Sequence, residues 1–200
     1  MTSPDHRDEA SKVRDAGLGY AHMKIYTKKG DDGSTGLFYG GRVAKNSVQP
    51  TAYGAVDEAQ AALGLARAAA SSGGELDELL VLVCRDLYVA MAELATAEEN
   101  QPKLVDAQTR VTAEMVDALD GYIDAFTERF APLTEFVIPG QNEVSARLDW
   151  ARTSVRRAER ESLPAHIAGS NVVPYLNRLS DLVWTLARWQ EEEALPSRPA

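Results

Sequence analysis

Apolar residues recur every three or four positions over most of the chain after Pro50, which is the pattern of amphipathic helices. The first predicted helix has a stripe of alanine, valine and leucine from Ala52 to Ala70, and the serines and glycines of 71–74 end it. Four more helices are predicted over about 76–97, 106–130, 142–162 and from 170 or 171 to 193. With short connections and no convincing strand pairs, the pattern predicts an all-α, five-helix up-and-down bundle.

The two ends of the chain and the segment before the first helix depart from this pattern. Residues 1–22 carry many charges and few large apolar groups, so we expect a disordered N-terminal arm, because burial cannot offset the entropy of ordering. Residues 24–45 are rich in Gly, Thr, Ser and charge, which predicts a structured loop with at most a short extended piece. The bundle domain is therefore expected over 23–193 and a frayed tail over 194–200.

Composition excludes several classes of protein. The formal net charge of −9 argues against a nucleic-acid binder, which needs a basic face. No apolar stretch approaches the ~20 residues that span a bilayer, and the N-terminus has no apolar signal core. The single cysteine, Cys84, lies in an apolar run and favours a small buried side chain in a reducing compartment. We therefore expect a soluble cytoplasmic protein without nucleic-acid or membrane partners, and the three histidines show no zinc-ligand spacing.

A basic, glycine-rich loop precedes the helices and is a candidate anion site. From Thr27 to Gly36 it reads Thr-Lys-Lys-Gly-Asp-Asp-Gly-Ser-Thr-Gly, and Arg42 and Lys45 extend its charge. Glycines let backbone N–H groups turn toward an anion, while hydroxyls and lysines add donors. The order of a Walker P-loop is absent. The alternative is an ordinary polar surface loop.

The fourth predicted helix carries a ridge of arginines. Arg152, Arg156 and Arg160 are four positions apart and form one ridge, with Arg152 at the edge of the apolar stripe and the other two progressively further outward. Guanidinium groups in such a row suit a triphosphate, because each offers a planar fork of donors. Arg157 points away from the stripe and by itself indicates a surface or inter-subunit residue. The alternative for the ridge is a solvated face with ion pairs to the acidic residues Asp149, Glu159 and Glu161.

Three further positions are candidates with open interpretations. Asp57 is either simply exposed or a carboxylate that orients an arginine of the fourth helix. Asn177 lies inside the fifth helix, where asparagine is unfavourable, which indicates a hydrogen bond to a partner or ligand. Phe136, in a short apolar connection, is interpreted by itself as a core residue.

These pieces occur together and in one order. The segments are Lys24 to Gly33, Tyr53-Gly54-Ala55-Val56-Asp57-Glu58, Phe136-Val137-Ile138-Pro139-Gly140, Ala151 to Arg160, and Tyr175-Leu176-Asn177-Arg178-Leu179-Ser180-Asp181. Over about residues 24–190 the chain resembles the PduO-type ATP:cob(I)alamin adenosyltransferases, also called corrinoid adenosyltransferases. The resemblance implies a homotrimer of five-helix bundles with active sites between subunits. It also implies transfer of the 5′-deoxyadenosyl group of ATP to the reduced cobalt of a corrinoid, with triphosphate as the leaving group.

The resemblance also implies a role for individual residues. ATP, with Mg²⁺ on its phosphates, would be bound by Thr27, Lys28, Lys29, Gly30, Ser34, Thr35, Lys45, Arg156, Arg157, Glu159, Arg160 and Asn177. Asp57 would pair with Arg152 across the subunit interface, and Phe136 would cover the lower face of the corrin and keep the dimethylbenzimidazole ligand away. The catalytic set implied in this way is Asp57, Phe136, Arg152 and Arg156. A separate cobalamin reductase would supply cobalt(I), and an adenosylcobalamin-dependent enzyme is a further expected partner.

Three segments depart from the commonest family pattern. Gln141-Asn142-Glu143 stands where the family is small and glycine-rich, Trp150 lies near the place of a frequent histidine, and 37–41 is an unusual variant. Two alternatives to the enzyme are open. One is a non-catalytic corrinoid carrier on the same scaffold, and the other is a trimeric helical interaction protein whose arginines only form interface salt bridges.

Overall fold

The structure is a computed structural model that describes residues 26–191 and 193–198. By its internal contacts the chain divides into two units, residues 1–32 and residues 33–200. The predicted N-terminal arm, 1–22, lies outside the described residues, as do Lys24 and Ile25.

Five long helices form the second unit, which confirms the predicted all-α class. They are α1 (Val48–Ala69), α2 (Glu75–Leu94), α3 (Ala113–Thr127), α4 (Glu143–Ser162) and α5 (Val172–Trp189). Two short 3-10 helices, Glu98–Lys103 and Leu163–Ala165, lie in the connections. Helix α4 packs against both α1 and α5, while α2 packs on α1 and α3 packs on α5. The arginine-bearing helix therefore lies between the two helices that carry Asp57 and Asn177.

The core is built from the predicted apolar stripes. Helix α1 turns a face of small side chains inward, among them Ala52, Ala59 and Ala66, which are fully buried. Small residues permit close approach of neighbouring helices, because the interaxial distance depends on the side chains at the contact. The inward face of α4 consists of Leu148, Ala151, Val155 and Ala158, all fully buried.

The third helix begins later than the sequence pattern predicts. It starts at Ala113 instead of 106, with Thr112 as N-cap and its hydroxyl accepting the Met115 N–H at 3.4 Å. Before it, the N–H groups of Thr109 and Arg110 both donate to the Val105 carbonyl, at 2.8 and 3.0 Å. A cap residue stops helix propagation toward the N-terminus, so the preceding residues form a turn.

A two-stranded hairpin precedes the bundle, and it corrects the prediction of no strand pairs. Strand β1 (Ser34–Gly36) pairs antiparallel with β2 (Arg42–Ala44), and Thr35 stands opposite Val43. Strands of three residues are too short to show an alternating pattern in the sequence. The Phe38 N–H donates to the Ala95 carbonyl at 2.8 Å, which attaches the hairpin to the C-terminal end of α2.

Part of the C-terminal tail is hydrogen-bonded, which differs from a frayed end over 194–200. The Ile138 N–H donates to the Leu195 carbonyl at 2.8 Å, and the Ser197 N–H donates to the Phe136 carbonyl at 2.7 Å. The tail thus holds the apolar connection before α4. Among the described residues, no helix is both long and apolar enough to cross a membrane.

Candidate active site

Helix α4 presents the predicted arginine ridge on its outer side. Arg156 is exposed, and its guanidinium forms no hydrogen bond or ion pair with any other residue of the described ranges. Arg160 folds back along the ridge, because its Nη1 donates to the Arg156 carbonyl at 3.0 Å. A guanidinium without a protein partner keeps all of its donors available for an anion.

Two polar contacts connect this face to the neighbouring helices. Arg157 forms an ion pair with Glu58 of α1, and both side chains are about half exposed. Asn177 of α5 donates from Nδ2 to Oε1 of Glu159 at 2.9 Å. The hydrogen bond explains an asparagine within a helix, and it fixes the direction of the Glu159 carboxylate. The face thus joins α1, α4 and α5 into one polar surface.

Asp57 and Arg152 do not meet within the chain. Asp57 is exposed and has no partner among the described residues. Arg152 instead has its Nε 3.5 Å from Oδ1 of Asp149, one turn earlier on α4. The pairing of Asp57 with Arg152 that the resemblance implies is therefore not formed within the described chain.

Asp149 belongs to a buried charged group that the sequence analysis did not identify. Its Oδ2 accepts from Nη2 of Arg188 at 2.6 Å, and the same nitrogen lies 2.8 Å from Oε1 of Glu191. Burial, and secondarily the charge of Asp149, raises the pKa of Glu191, although Arg188 opposes this. In the sequence Arg188 lies among apolar residues of the last helix, where an arginine needs a buried carboxylate, but the sequence does not identify Asp149 as that partner.

Phe136 is exposed, so its interpretation as a core residue is wrong. Its side chain is 89 % exposed, and it borders an open depression of about 390 Å³ with Leu133 and Trp184. An apolar run indicates low polarity but not the direction of each ring. A large exposed aromatic ring is typical of a ligand or partner surface.

The turn after Phe136 brings this region close to the arginine helix. Pro139, Gly140, Trp150 and Arg152 line one open depression of about 340 Å³. Gly140 has a φ of 111°, which favours glycine. Asn142, which departs from the family pattern, has a structural role. Its side chain caps α4 by accepting the Ser145 N–H at 2.8 Å, and it donates to the Gln190 carbonyl at 2.6 Å.

The hairpin residues of the predicted ATP site differ in their contacts. The Ser34 hydroxyl accepts from Nε of Arg42 at 3.1 Å, across the hairpin. Thr35 is partly buried in the middle of β1, whereas the side chain of Lys45 is exposed. The Lys45 backbone N–H donates to the Gly33 carbonyl at 2.9 Å, which closes the base of the hairpin.

The segment 26–32, described by itself, is a tight turn. The Lys29 N–H donates to the Thr27 hydroxyl at 3.4 Å, and the Asp31 N–H donates to the Lys28 carbonyl at 3.4 Å. Lys28 has a φ of 58°, in the left-handed region. Thr27, Lys28 and Lys29 are exposed and Gly30 is partly buried.

A metal site built from protein ligands is not found in the parts of the chain that the structure describes, where no group of three or more His, Cys, Asp or Glu residues is suitably placed.

Burial also raises the pKa of a cysteine and a tyrosine of the bundle. Cys84 is partly buried, and burial raises the pKa of its thiol. The Tyr175 hydroxyl of α5 donates to Oδ2 of Asp86 on α2 at 3.0 Å. Burial, then the charge of Asp86, raises the pKa of Tyr175. This pair joins α2 to α5 two residues before Asn177.

The model of a family described as "Cobalamin adenosyltransferase" matches residues 25–190, which is most of the sequence. The chain belongs to this family. The match confirms the predicted family resemblance and the predicted enzyme class, and it covers the arginine ridge, Asp57, Phe136 and Asn177.

Members of the cobalamin adenosyltransferase family from several bacteria are similar over most of this chain. A corrinoid adenosyltransferase of Mycobacterium tuberculosis is 42% identical over 170 residues, which cover 82% of this chain and 87% of that protein. Corrinoid adenosyltransferase PduO of Citrobacter freundii is 41% identical over 86% of this chain and 51% of its own length.

Solved structures of the family share the fold. A variant PduO-type ATP:corrinoid adenosyltransferase from Lactobacillus reuteri, complexed with cobalamin and ATP, has a TM-score of 0.79 and 27% identity, over 88% of this chain and 97% of that one. A second variant of that enzyme, complexed with ATP, has a TM-score of 0.76 and 27% identity, over 87% of this chain and 100% of that one.

Proposed function

We propose that this chain transfers the 5′-deoxyadenosyl group of ATP to the cobalt of a reduced corrinoid such as cob(I)alamin. The observation that carries the proposal is the outer face of α4, where Arg156 offers an exposed guanidinium without a protein partner in the described structure. An unpaired arginine on a face of otherwise ordered polar groups suits an anionic ligand. The complexes of the Lactobacillus reuteri enzyme with ATP support the triphosphate of ATP as that anion.

The reaction needs charge stabilisation more than acid–base chemistry. Cobalt(I) donates the electron pair that forms the cobalt–carbon bond, and the 5′ C–O bond of ATP breaks. Its electron pair leaves with the triphosphate, and cobalt ends as cobalt(III). Because the nucleophile needs no general base, the protein aligns the two substrates and stabilises the leaving group. Arg156 and Arg160 would carry out the second task.

The other proposed ATP contacts surround this ridge or lie in the N-terminal loop. Asn177 orients Glu159 through the 2.9 Å hydrogen bond, which suits recognition of a hydroxyl or amine of the nucleoside. The Arg157–Glu58 ion pair holds the α1 side of the same face. The remaining proposed ATP-binding residues rest on the sequence match: Thr27, Lys28, Lys29, Gly30, Ser34, Thr35 and Lys45.

A homotrimer with active sites between subunits is part of the proposal. Asp57 is exposed and unpaired within the described chain, while Arg152 keeps a side chain that is 31% exposed. The Asp57 carboxylate of one subunit and the Arg152 guanidinium of the next would compensate each other's charge. The pair Arg152 and Asp57 of the partner subunit would then fix the position of α4 in the site.

Phe136 is proposed to contact the lower face of the corrin ring. Its 89% exposed side chain and the depression beside it offer an apolar surface for a large flat ligand. An apolar residue there would keep the axial dimethylbenzimidazole nitrogen away from cobalt. Loss of that ligand stabilises four-coordinate cobalt(II) and makes its reduction to cobalt(I) easier.

Magnesium, the reductant and the compartment complete the proposal. Since the described residues hold no protein metal cluster, Mg²⁺ would enter as part of the MgATP substrate, bound to phosphate oxygens. A separate cobalamin reductase would supply cobalt(I), and an adenosylcobalamin-dependent enzyme would take the product. The single cysteine is compatible with a reducing cytoplasm.

Incubation of the chain with ATP, Mg²⁺ and chemically reduced cobalamin tests the proposal. The expected result is the spectrum of adenosylcobalamin, which reverts on exposure to light. Binding of both substrates without conversion would contradict an enzyme and would favour the non-catalytic carrier. An absence of ATP binding would favour the interaction protein.

A further inference from the structure

Asp149 bridges two arginines that lie in different environments. One of its oxygens accepts from Arg188, which is 3% exposed, and the other lies 3.5 Å from Nε of Arg152. Arg188 in turn contacts Glu191, whose side chain is 1% exposed. The bridge therefore starts in the interior between α4 and α5 and ends at the surface, next to the arginine ridge.

The bridge leaves most of the Arg152 guanidinium free. Its Nε is buried and forms no hydrogen bond, although the side chain as a whole is 31% exposed. Asp149 therefore faces only the Nε edge, and the terminal nitrogens keep their donors for a second, bidentate carboxylate. Because Asp149 is shared with Arg188, it neutralises neither arginine completely.

The bridge is also more rigid than a surface ion pair. Asp149 is 8% exposed, and it is held by a 2.6 Å hydrogen bond from a side chain of another helix. A carboxylate that is itself held in place fixes the direction of the arginine that it faces. An exposed carboxylate has no fixed rotamer and does not. The exposed pair Glu143–Arg147, with an N–O distance of 2.6 Å on the same helix, is a matched contrast.

We propose that Asp149, held by Arg188, is a positioning residue that directs Arg152 toward Asp57 of the partner subunit. This proposal rests on the proposed function, in which that inter-subunit pair holds the active site together. In this role Asp149 acts through Arg152 and not through a contact with either substrate. Its loss therefore disturbs the alignment of the substrates and leaves the Arg156 and Asn177 contacts with ATP in place.

The variant Asp149→Asn tests this role, since it keeps the shape and one acceptor but removes the charge. We expect kcat to fall about tenfold through misalignment, with the KM for ATP within about twofold of the wild type. Glu143→Gln is the control and should change neither value. A wild-type kcat in Asp149→Asn overturns the proposal, as does an equal loss in the control.

A double variant separates positioning from general stability. If Asp149 acts through Arg152, then Asp149→Asn has no further effect on kcat in an Arg152→Lys background. If the two substitutions instead lower kcat independently, so that their factors multiply in the double variant, the proposal is overturned. Should Asp149→Asn unfold, Arg188→Lys gives the second test, because it keeps the buried charge but loses the guanidinium that holds Asp149. We expect the same fall in kcat without a change in KM, and a wild-type kcat overturns the proposal.

The wild-type assay distinguishes the two proposals from each other. Conversion of cob(I)alamin by the wild type together with full kcat in Asp149→Asn overturns the positioning role and leaves the proposed function intact. A folded wild-type chain that forms no adenosylated corrinoid overturns the proposed function and this proposal with it.

Discussion

Arg188 and Arg156 lie on neighbouring helices but in opposite environments. Arg188 is 3% exposed and is held between Asp149 and Glu191. Arg156 is exposed, and no residue in the described ranges pairs with its guanidinium. A buried charge without a partner is costly, so loss of one member of the first arrangement would destabilise the fold. An exposed guanidinium has no such requirement, and its freedom is the property that a ligand site needs. The same residue type thus holds the structure together in one place and is proposed to bind a ligand in the other.

The largest effect is expected at the buried arginine. Arg188→Met leaves two buried carboxylates side by side, and we expect a loss of about 3–5 kcal/mol in the free energy of unfolding. Urea unfolding followed by circular dichroism measures it. Arg147→Met, which breaks an exposed pair with Glu143, should cost less than about 1 kcal/mol. An equal loss in the free energy of unfolding in both variants would show that the buried charged group matters no more to stability than the exposed pair.

Arg156→Ala is expected to affect activity instead of stability. Removal of a donor to the departing triphosphate should lower kcat by about 100-fold or more, while the free energy of unfolding changes by less than about 0.5 kcal/mol. Initial rates with pre-reduced cob(I)alamin measure the first value and urea unfolding measures the second. Arg147→Ala is the matched control. Near-normal turnover of Arg156→Ala would refute the assignment.

Phe136→Ala extends the comparison to an exposed apolar residue. Loss of the ring's apolar contact, about 1.5 kcal/mol, should slow formation of adenosylcobalamin about tenfold when the reaction starts from cobalt(II) and a reductant. Pre-formed cobalt(I) should restore the rate, and Phe136→Leu should retain part of it. A variant that is equally slow with cobalt(I) would exclude a role in the reduction step.

The smallest effect is expected for Asn177→Ala. It removes the 2.9 Å hydrogen bond to Glu159, and a net loss of about 1 kcal/mol should raise the KM for ATP about fivefold. Steady-state kinetics with varied ATP measure the change. Thr185→Ala is a control, since within the described residues its hydroxyl bonds to the Asp181 carbonyl of the same helix, at 3.0 Å. An unchanged KM in Asn177→Ala would remove Asn177 from the site.

The helices were predictable because their apolar stripes are long. The stripe of α4 and the ridge formed by Arg152, Arg156 and Arg160 follow from a helical period alone. The N-terminus of α3 was missed because the apolar spacing in the sequence starts before the helix does. In the structure a turn around Val105 and the cap at Thr112 precede the first helical residue. The hairpin was missed because its strands have only three residues each.

The site was predictable in part. Which residues belong together came from the resemblance, whereas the contacts came from the structure. The pair Asp149–Arg188 joins residues 39 positions apart on two helices, and a single sequence gives no signal for such a pairing. Phe136 shows a second limit, because an apolar run cannot tell a ring in the core from one that is 89% exposed.

The most direct measurement is the inorganic product released as the cobalt–carbon bond forms. The purified chain, MgATP and cob(I)alamin are mixed, adenosylcobalamin is followed by its spectrum, and the phosphate products are separated by ion exchange. If the α4 face holds the triphosphate as a leaving group, inorganic triphosphate appears in step with adenosylcobalamin. Formation of adenosylcobalamin without triphosphate, or no adenosylcobalamin at all, would contradict the account.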